Sequence, residues 1–368
     1  MTAEARSPAS LLEVVQREVD RSVLRARNGI KHAAGIDRAR VGLSPKETIW
    51  ERDKVQLWRY HNRRVTRTPP ILIVMSLVSR SYILDLRPGN SFVEFLLKAG
   101  YDVFLLDWGV PDEADSHNTI ETYVDGYLPL AVAAACQEAG SDSITLMGYC
   151  LGGVLATLYV AGHPEAPVSN LVVIATPVDY RKLGIIAGLV RKGRLEPEMV
   201  LDETGNVPAD AVRNVFRLRK PTADWVQYAN LWENLWNDEY LEGYQAMNQW
   251  NNDHVPFPGA AMEQMVRLLI RENRLMKGTI RLGNRNVRLK SVTCPFLHAV
   301  AEKDDIVPLA SAELLKDLVG SRDAENLKLA AGHVGLLAGR RAAKETLPSI
   351  VAWLDRHSRR LRRASAVP

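Results

Sequence analysis

Three cysteines in 368 residues, at positions 136, 150 and 294, leave the chain without a disulfide framework. Their odd, sparse count suits a reducing compartment. No apolar run reaches the roughly 18–20 residues a membrane helix needs. The longest, 69–78 and 128–136, are core-sized. No basic segment followed by an apolar stretch opens the chain, so no signal peptide is expected. Walker loops, His-Glu-x-x-His, paired Cys spacings and G-x-G-x-x-G are all missing, and neither a metal nor a resident cofactor is expected. There is no internal repeat and no low-complexity segment, which excludes a solenoid. Net charge is also scarce: 47 Lys and Arg against 43 Asp and Glu leave +4. Arg356, Arg359, Arg360, Arg362 and Arg363 crowd the C-terminal end, and the rest is near neutral. No nucleic-acid partner is expected from such a balance. The basic tail reads as a solvated end, with an acidic partner or an anionic surface as its alternative use. The expected location is the cytoplasm.

What the chain does have is apolar content. At 46% hydrophobic it is too apolar for a disordered chain of this charge. Leu12, Val15, Val19 and Val23 are spaced for one face of a helix over 11–31, expected to pack on the core. A polar lead-in with short strands, such as 55–58, follows. Then come short, continuously apolar runs at 71–75, 102–106, 143–147, 171–175, 295–300 and 327–330. Such runs fit strands covered on both faces, as in a parallel sheet. Helical stretches at 91–99, 122–139, 153–161, 310–318 and 342–357 alternate with them. The alternation predicts a doubly wound α/β sheet. The stretch 179–291 breaks the pattern. It is polar, lacks a strand-like run and holds Trp225, Trp232, Trp236 and Trp250, half of the eight tryptophans. It reads as a helical cap inserted between two halves of the sheet. The expected parts are an N-terminal helix and lead-in (1–68), the first core half (69–178), the cap (179–291), the second core half (292–355) and the basic tail (356–368).

The strongest chemical signal is Gly148-Tyr149-Cys150-Leu151-Gly152-Gly153, between a predicted strand and a predicted helix. This is the setting of a nucleophile elbow, G-x-S-x-G, with Cys in place of Ser. The turn is tight, so glycines are needed where a Cβ would clash. A nucleophile there sits at a helix N-terminus, which favours an anion. The Leu151 amide is then free to be one oxyanion donor. The loop 75–80, after an early strand, is where the second donor arises in such a fold, and Val78 is the candidate.

An elbow nucleophile needs a base and an orienting acid, which come later in the chain, acid first. The loop Ala301-Glu302-Lys303-Asp304-Asp305-Ile306-Val307-Pro308 follows one strand and supplies carboxylates. Ala331-Gly332-His333-Val334-Gly335 follows the last strand. Among eight histidines His333 alone occupies a glycine-flanked strand end. His298 lies inside a strand and reads as structural. His254, in the cap, is a candidate to line the pocket.

With these motifs in place, the chain resembles the poly(R)-3-hydroxyalkanoate synthases, polyester-forming members of the α/β-hydrolase superfamily. Its length is similar to that of the short catalytic subunits of classes III and IV. The elbow matches that family's G-x-C-x-G-G box. Asp304-Asp305-Ile306-Val307-Pro308 matches its Asp-His-Ile-Val-Pro stretch, which implies Asp304 as the acid. Gly332-His333-Val334-Gly335 matches its Gly-His-x-Gly. Asp107-Trp108-Gly109, Thr176-Pro177-Val178-Asp179 and Trp250-Asn251-Asn252-Asp253 also look like family positions. Two positions depart: Asp305 replaces the usual His, and Val78-Ser79-Arg80 replaces Val-Asn-Arg.

The resemblance implies a Cys150–His333–Asp304 triad that polymerises (R)-3-hydroxyacyl-CoA with release of coenzyme A. It implies no cofactor beyond the CoA of the substrate. The partners it implies are the acyl-CoA, the growing polyester, a second non-catalytic synthase subunit and further copies of the chain, at the surface of polyester granules. A thioesterase or intracellular depolymerase on the same scaffold is one rival. A non-catalytic granule-associated protein is the other.

Overall fold

The computed structural model describes residues 11–33, 39–217 and 223–361. Two compact units emerge: Met1–Val41 with Lys220–Gln249, and Gly42–Arg219 with Trp250–Pro368. The larger unit carries one eight-stranded sheet. Its strands are β1 (Lys46–Arg52), β2 (Val55–Tyr60), β3 (Ile71–Val74), β4 (Val103–Asp107), β5 (Ile144–Tyr149), β6 (Val168–Ile174), β7 (Phe296–Ala301) and β8 (Ala324–Leu329). They lie in the order β1-β2-β4-β3-β5-β6-β7-β8. β1 and β2 run antiparallel, β2 runs antiparallel to β4, and the remaining pairs are parallel. This is the mostly parallel sheet that the apolar runs predicted, with the α/β-hydrolase arrangement that the resemblance implied.

The central strands are apolar because both faces are covered. Every residue of β3, β5 and β7 is buried. β1 reads Lys-Glu-Thr-Ile-Trp-Glu-Arg and sits at the edge with no buried residue, so its sequence carries no such signal. The helix Leu151–Gly162 follows β5 and is buried from Leu151 to Ala161. The helix Phe92–Lys98 starts at Ser91, whose hydroxyl accepts from the Glu94 amide at 3.0 Å.

The stretch 179–291 is not free of strands. Thr279–Leu282 and Arg285–Arg288 form an antiparallel hairpin. Ile280, Leu282 and Val287 join the main hydrophobic core, while Arg281, Asn286 and Arg288 face outward. The alternation spans only four residues per strand, too few to stand out in a charged segment. Short pairings also join Asn206–Val207 to Phe257–Pro258.

In the smaller unit the helix Leu11–Ala33 packs with the segment 231–241. The buried Asn28 amide donates to the Leu235 carbonyl and to Asp238 Oδ1, both at 2.8 Å. Arg27 meets both Asp238 oxygens at 2.9 Å, and the Arg21 guanidinium lies 4.4 Å from the Trp236 ring centre. Of the apolar stripe read from the sequence, the side chains of Leu12 and Val15 lie outside the described residues. Val19 and Val23 are exposed. At the other end of the chain, Arg356 pairs with Glu325 at 2.9 Å, and Arg359–Arg360 pairs with Arg67–Thr68. Arg362 and Arg363 of the expected basic tail lie outside the described residues, as does the side chain of Trp225.

The parallel strands all end at one edge of the sheet. Four loops leave that edge carrying Val78 after β3, Cys150 after β5, Asp304 after β7 and His333 after β8. In open α/β sheets, the strands' carboxyl ends are where ligands bind.

Candidate active site

Cys150 stands between β5 and its helix with φ 54° and ψ −120°, a left-handed conformation strained for any residue with a Cβ. The Cys150 amide donates to the Ile174 carbonyl at 2.8 Å and holds the turn to the neighbouring strand. Close backbone approach explains the flanking glycines. A Cβ at Gly148 would lie 2.5 Å from the Gly153 Cα, and one at Gly152 would overlap the Val74 and Met75 carbonyls. The helix start is thereby seated directly on the end of β3. Cys150 is half-buried and in no disulfide, as are Cys136 and Cys294.

Two backbone donors face no protein acceptor. Among the described residues, neither the Leu151 nor the Val78 amide donates a hydrogen bond. The first begins the helix at Cys150. The second lies in the turn after β3, which the Trp108 indole anchors by donating to the Met75 carbonyl at 2.8 Å.

Asp304 and His333 come together from the ends of β7 and β8. His333 Nδ1 and Asp304 Oδ2 are 2.7 Å apart, and both side chains are buried. The other carboxylate oxygen accepts the amides of Ile306 and Val307 at 2.8 and 2.7 Å. Burial disfavours an imidazolium, yet the neighbouring Cys150 sulfur and the Asp304 carboxylate outweigh it and push His333 up to about 10. Asp305, next in sequence, is exposed. Cys150, Asp304 and His333 thus meet in one place, with the Leu151 amide adjoining them.

Two other histidines singled out in the sequence have different surroundings. His298 is fully buried in β7, where its Nε2 accepts the Thr176 amide at 3.2 Å. Burial pushes it down to about 3, so it is neutral. His254 is partly buried and its ring centre lies 5.3 Å from that of Phe216. Burial, helped by Arg213, lowers its affinity for a proton. No group of three His, Cys, Asp or Glu side chains suited to a metal occurs among the described residues.

Three neighbours escaped the sequence reading. The Tyr149 ring lies 5.0 Å from the His333 ring and walls in the imidazole. Tyr180 is buried close enough to Cys150 that the sulfur, after burial itself, raises its phenol. Asn273, with φ 51°, donates to Asp179 at 2.9 Å and accepts the Tyr180 amide at 3.0 Å, fixing the turn after β6. Tyr149 was legible as the residue preceding the elbow cysteine. Asn273 lies 94 residues from its partner Asp179, with no local pattern to mark it.

Such a constellation can activate a sulfur nucleophile, take and return a proton at one imidazole, and receive a developing oxyanion on backbone amides. Comparison with known proteins narrows this range. The family described as "alpha/beta hydrolase fold" matches residues 69–339, and the one described as "Poly-beta-hydroxybutyrate polymerase (PhaC) N-terminus" matches residues 10–96. A "Poly(3-hydroxyalkanoate) polymerase subunit PhaC" of Haloferax mediterranei is 34% identical over 89% of this chain and 67% of its own length. Its namesake in Thiocystis violacea is 31% identical over 90% of this chain and 93% of its own length. Another, from Synechocystis, is 33% identical over 89% of each. Among solved structures, epoxide hydrolase A of Mycobacterium thermoresistibile has a TM-score of 0.52 at 15% identity, over 86% of this chain and 99% of that one. A hydrolase from Pseudomonas aeruginosa scores 0.51 at 14% identity, over 85% and 99%. At these identities the solved structures speak for the fold alone.

Proposed function

The chain belongs to the poly(3-hydroxyalkanoate) polymerase family, and from that premise we propose that it joins (R)-3-hydroxyacyl-CoA units into a polyester through Cys150, His333 and Asp304. What carries the reading is the strained elbow cysteine beside a buried Asp304–His333 pair.

His333 takes the Cys150 proton, and the resulting thiolate attacks the thioester carbonyl of the acyl-CoA. The Leu151 and Val78 amides receive the oxyanion. The bond to the CoA sulfur breaks, the CoA thiol leaves with the proton from His333, and the acyl group is now a thioester of Cys150. One thioester replaces another, so the exchange is close to balanced in energy. The 3-hydroxyl of a further unit then attacks the acyl-Cys150 carbonyl while His333 accepts its proton. An ester bond forms, and the Cys150 sulfur is released and ready for the next acyl-CoA. Asp304 holds Nδ1 throughout, leaving Nε2 for the moving proton, and assists the incoming hydroxyl. Transfer rather than hydrolysis requires that water be kept from the acyl-cysteine, the task we assign to the segment 179–291.

No resident cofactor takes part; coenzyme A enters with the substrate and leaves as product. The same reading includes a second non-catalytic synthase subunit, self-association, and work at the surface of a polyester granule in the cytoplasm. Among the described residues no helix is long and apolar enough to cross a membrane.

The test is to incubate the purified protein with (R)-3-hydroxybutyryl-CoA and follow free CoA and polymer together. Polymer in step with CoA is expected. Free hydroxy acid without polymer identifies a hydrolase instead. Absence of any CoA release, with or without the partner subunit, leaves only a non-catalytic role.

A further inference from the structure

The turn that carries Val78 is held from outside the sheet. Four contacts reach it from residues 250–254. The Trp250 indole donates to the Arg80 carbonyl at 2.8 Å. Ser79 forms an antiparallel bridge with His254. Arg80 Nε donates to Asp253 Oδ1 at 3.1 Å, and the Tyr82 hydroxyl donates to Asp253 Oδ2 at 3.0 Å. On the other flank Trp108 fixes the Met75 carbonyl. Val78 thus lies between two pinned points, with its own amide left without a protein acceptor.

Asp253 grips this segment twice, at Arg80 and at Tyr82. Neither contact touches Cys150, His333 or Asp304. A side chain that fixes a turn in two places sets where the amides within that turn point. Backbone donors lower an acyl-transfer barrier only when aimed at the oxyanion before it forms. We propose that Asp253 is a positioning residue for acyl transfer: through Arg80 and Tyr82 it fixes the turn that presents the Val78 amide. This rests on the reading of Val78 as an oxyanion donor in the proposed polymerase.

Two reactions of Cys150 separate positioning from general damage. Acylation by acyl-CoA passes through an oxyanion, whereas alkylation by iodoacetamide does not. Removal of a single oxyanion donor costs about 100-fold or more in turnover, and a 1 Å misplacement about 100-fold. For Asp253→Ala we expect kcat for CoA release to fall about 10- to 100-fold, a partial loss on that scale. KM should change by less than about threefold, because ground-state binding of the acyl-CoA is left in place. The alkylation rate of Cys150 should stay at the wild-type value. Tyr82→Phe removes one of the two grips and should lose a smaller part of kcat, again with alkylation intact. Should Asp253→Ala fail to fold, Asp253→Asn and Tyr82→Phe carry the same comparison. Wild-type kcat in the folded variants overturns the proposal, and so does a parallel fall in kcat and alkylation. Cys150→Ala run alongside keeps the two claims apart. If it still releases CoA, the polymerase mechanism itself fails; if it is inactive while the Asp253 variants match wild type, only the positioning role fails.

Discussion

Asp304 binds His333 with one oxygen and its own loop with the other. Oδ2 meets His333 Nδ1 at 2.7 Å, while Oδ1 takes the amides of Ile306 and Val307. The carboxylate is therefore fixed before any substrate arrives, and it fixes the imidazole in turn. Asp305, one residue on, is exposed. Asp304→Asn should reduce polymer formation by about 100-fold or more, as loss of an orienting acid does in other triads. Asp305→Asn should cost less than about tenfold, or roughly 1.4 kcal/mol of barrier. Side-by-side rates of CoA release decide it; a larger loss for Asp305→Asn assigns the acid to the wrong neighbour.

The three cysteines should separate cleanly. Cys150→Ala is expected to abolish CoA release, and Cys150→Ser to be severely impaired, since a hydroxyl is a far weaker acid for His333 to deprotonate. Burial raises Cys136 and pushes Cys294 up to about 11, so both stay protonated and unreactive at neutral pH. Cys136→Ser and Cys294→Ser should retain turnover, with any loss confined to stability. Turnover and thermal melts on the four variants test this.

His333 ties stability to pH in a definite direction. Its folded value lies near 10, above the ordinary 6.5, so the folded state binds the proton more tightly than the unfolded chain. The resulting stabilisation is complete below about pH 6.5 and is lost as pH rises through about 10. The Tm advantage of the wild type over His333→Gln should therefore shrink steadily between those limits. A constant difference across that window contradicts a raised folded value.

Gly152→Ala should damage the fold and the site together. The added methyl would meet the Val74 and Met75 carbonyls, which are backbone and cannot step aside. The helix start must lift off β3, at a cost of about 1–3 kcal/mol or more. A lowered Tm accompanied by slower alkylation of Cys150 is the expected pair of results, since the helix that follows the sulfur moves.

The strands that build the catalytic edge were legible because burial on both faces makes them apolar almost throughout. β3 appears as an unbroken run, β5 and β7 as runs broken only by Thr145 and His298, and the elbow announces itself through glycines that backbone contact requires. The acid and base were legible by their place after strands and by resemblance to a family box. β1 escaped because an edge strand need not be apolar. The hairpin Thr279–Leu282 with Arg285–Arg288 escaped because its inward residues alternate with arginines over too short a span. The Arg80–Asp253 contact joins residues 173 apart in sequence, and charge pairing over that distance leaves no local pattern. In the helix Leu11–Ala33 the contacts of Asn28, Arg27 and Arg21 reach residues more than 200 positions away, again with no local pattern to mark them.

The pairing of Arg359–Arg360 with Arg67–Thr68 fixes the last described residues of the chain to the α/β unit. Arg67 and Thr68 lie just ahead of β3, at the edge where the parallel strands begin, and Cys150 lies where β5 ends. The six residues of β5 put about 20 Å of packed sheet between those edges. A tether, affinity handle or fused domain carried beyond Leu361 therefore starts from the blunt end of the sheet. A surface-immobilised form of the protein is then held from the edge opposite the one that carries Cys150.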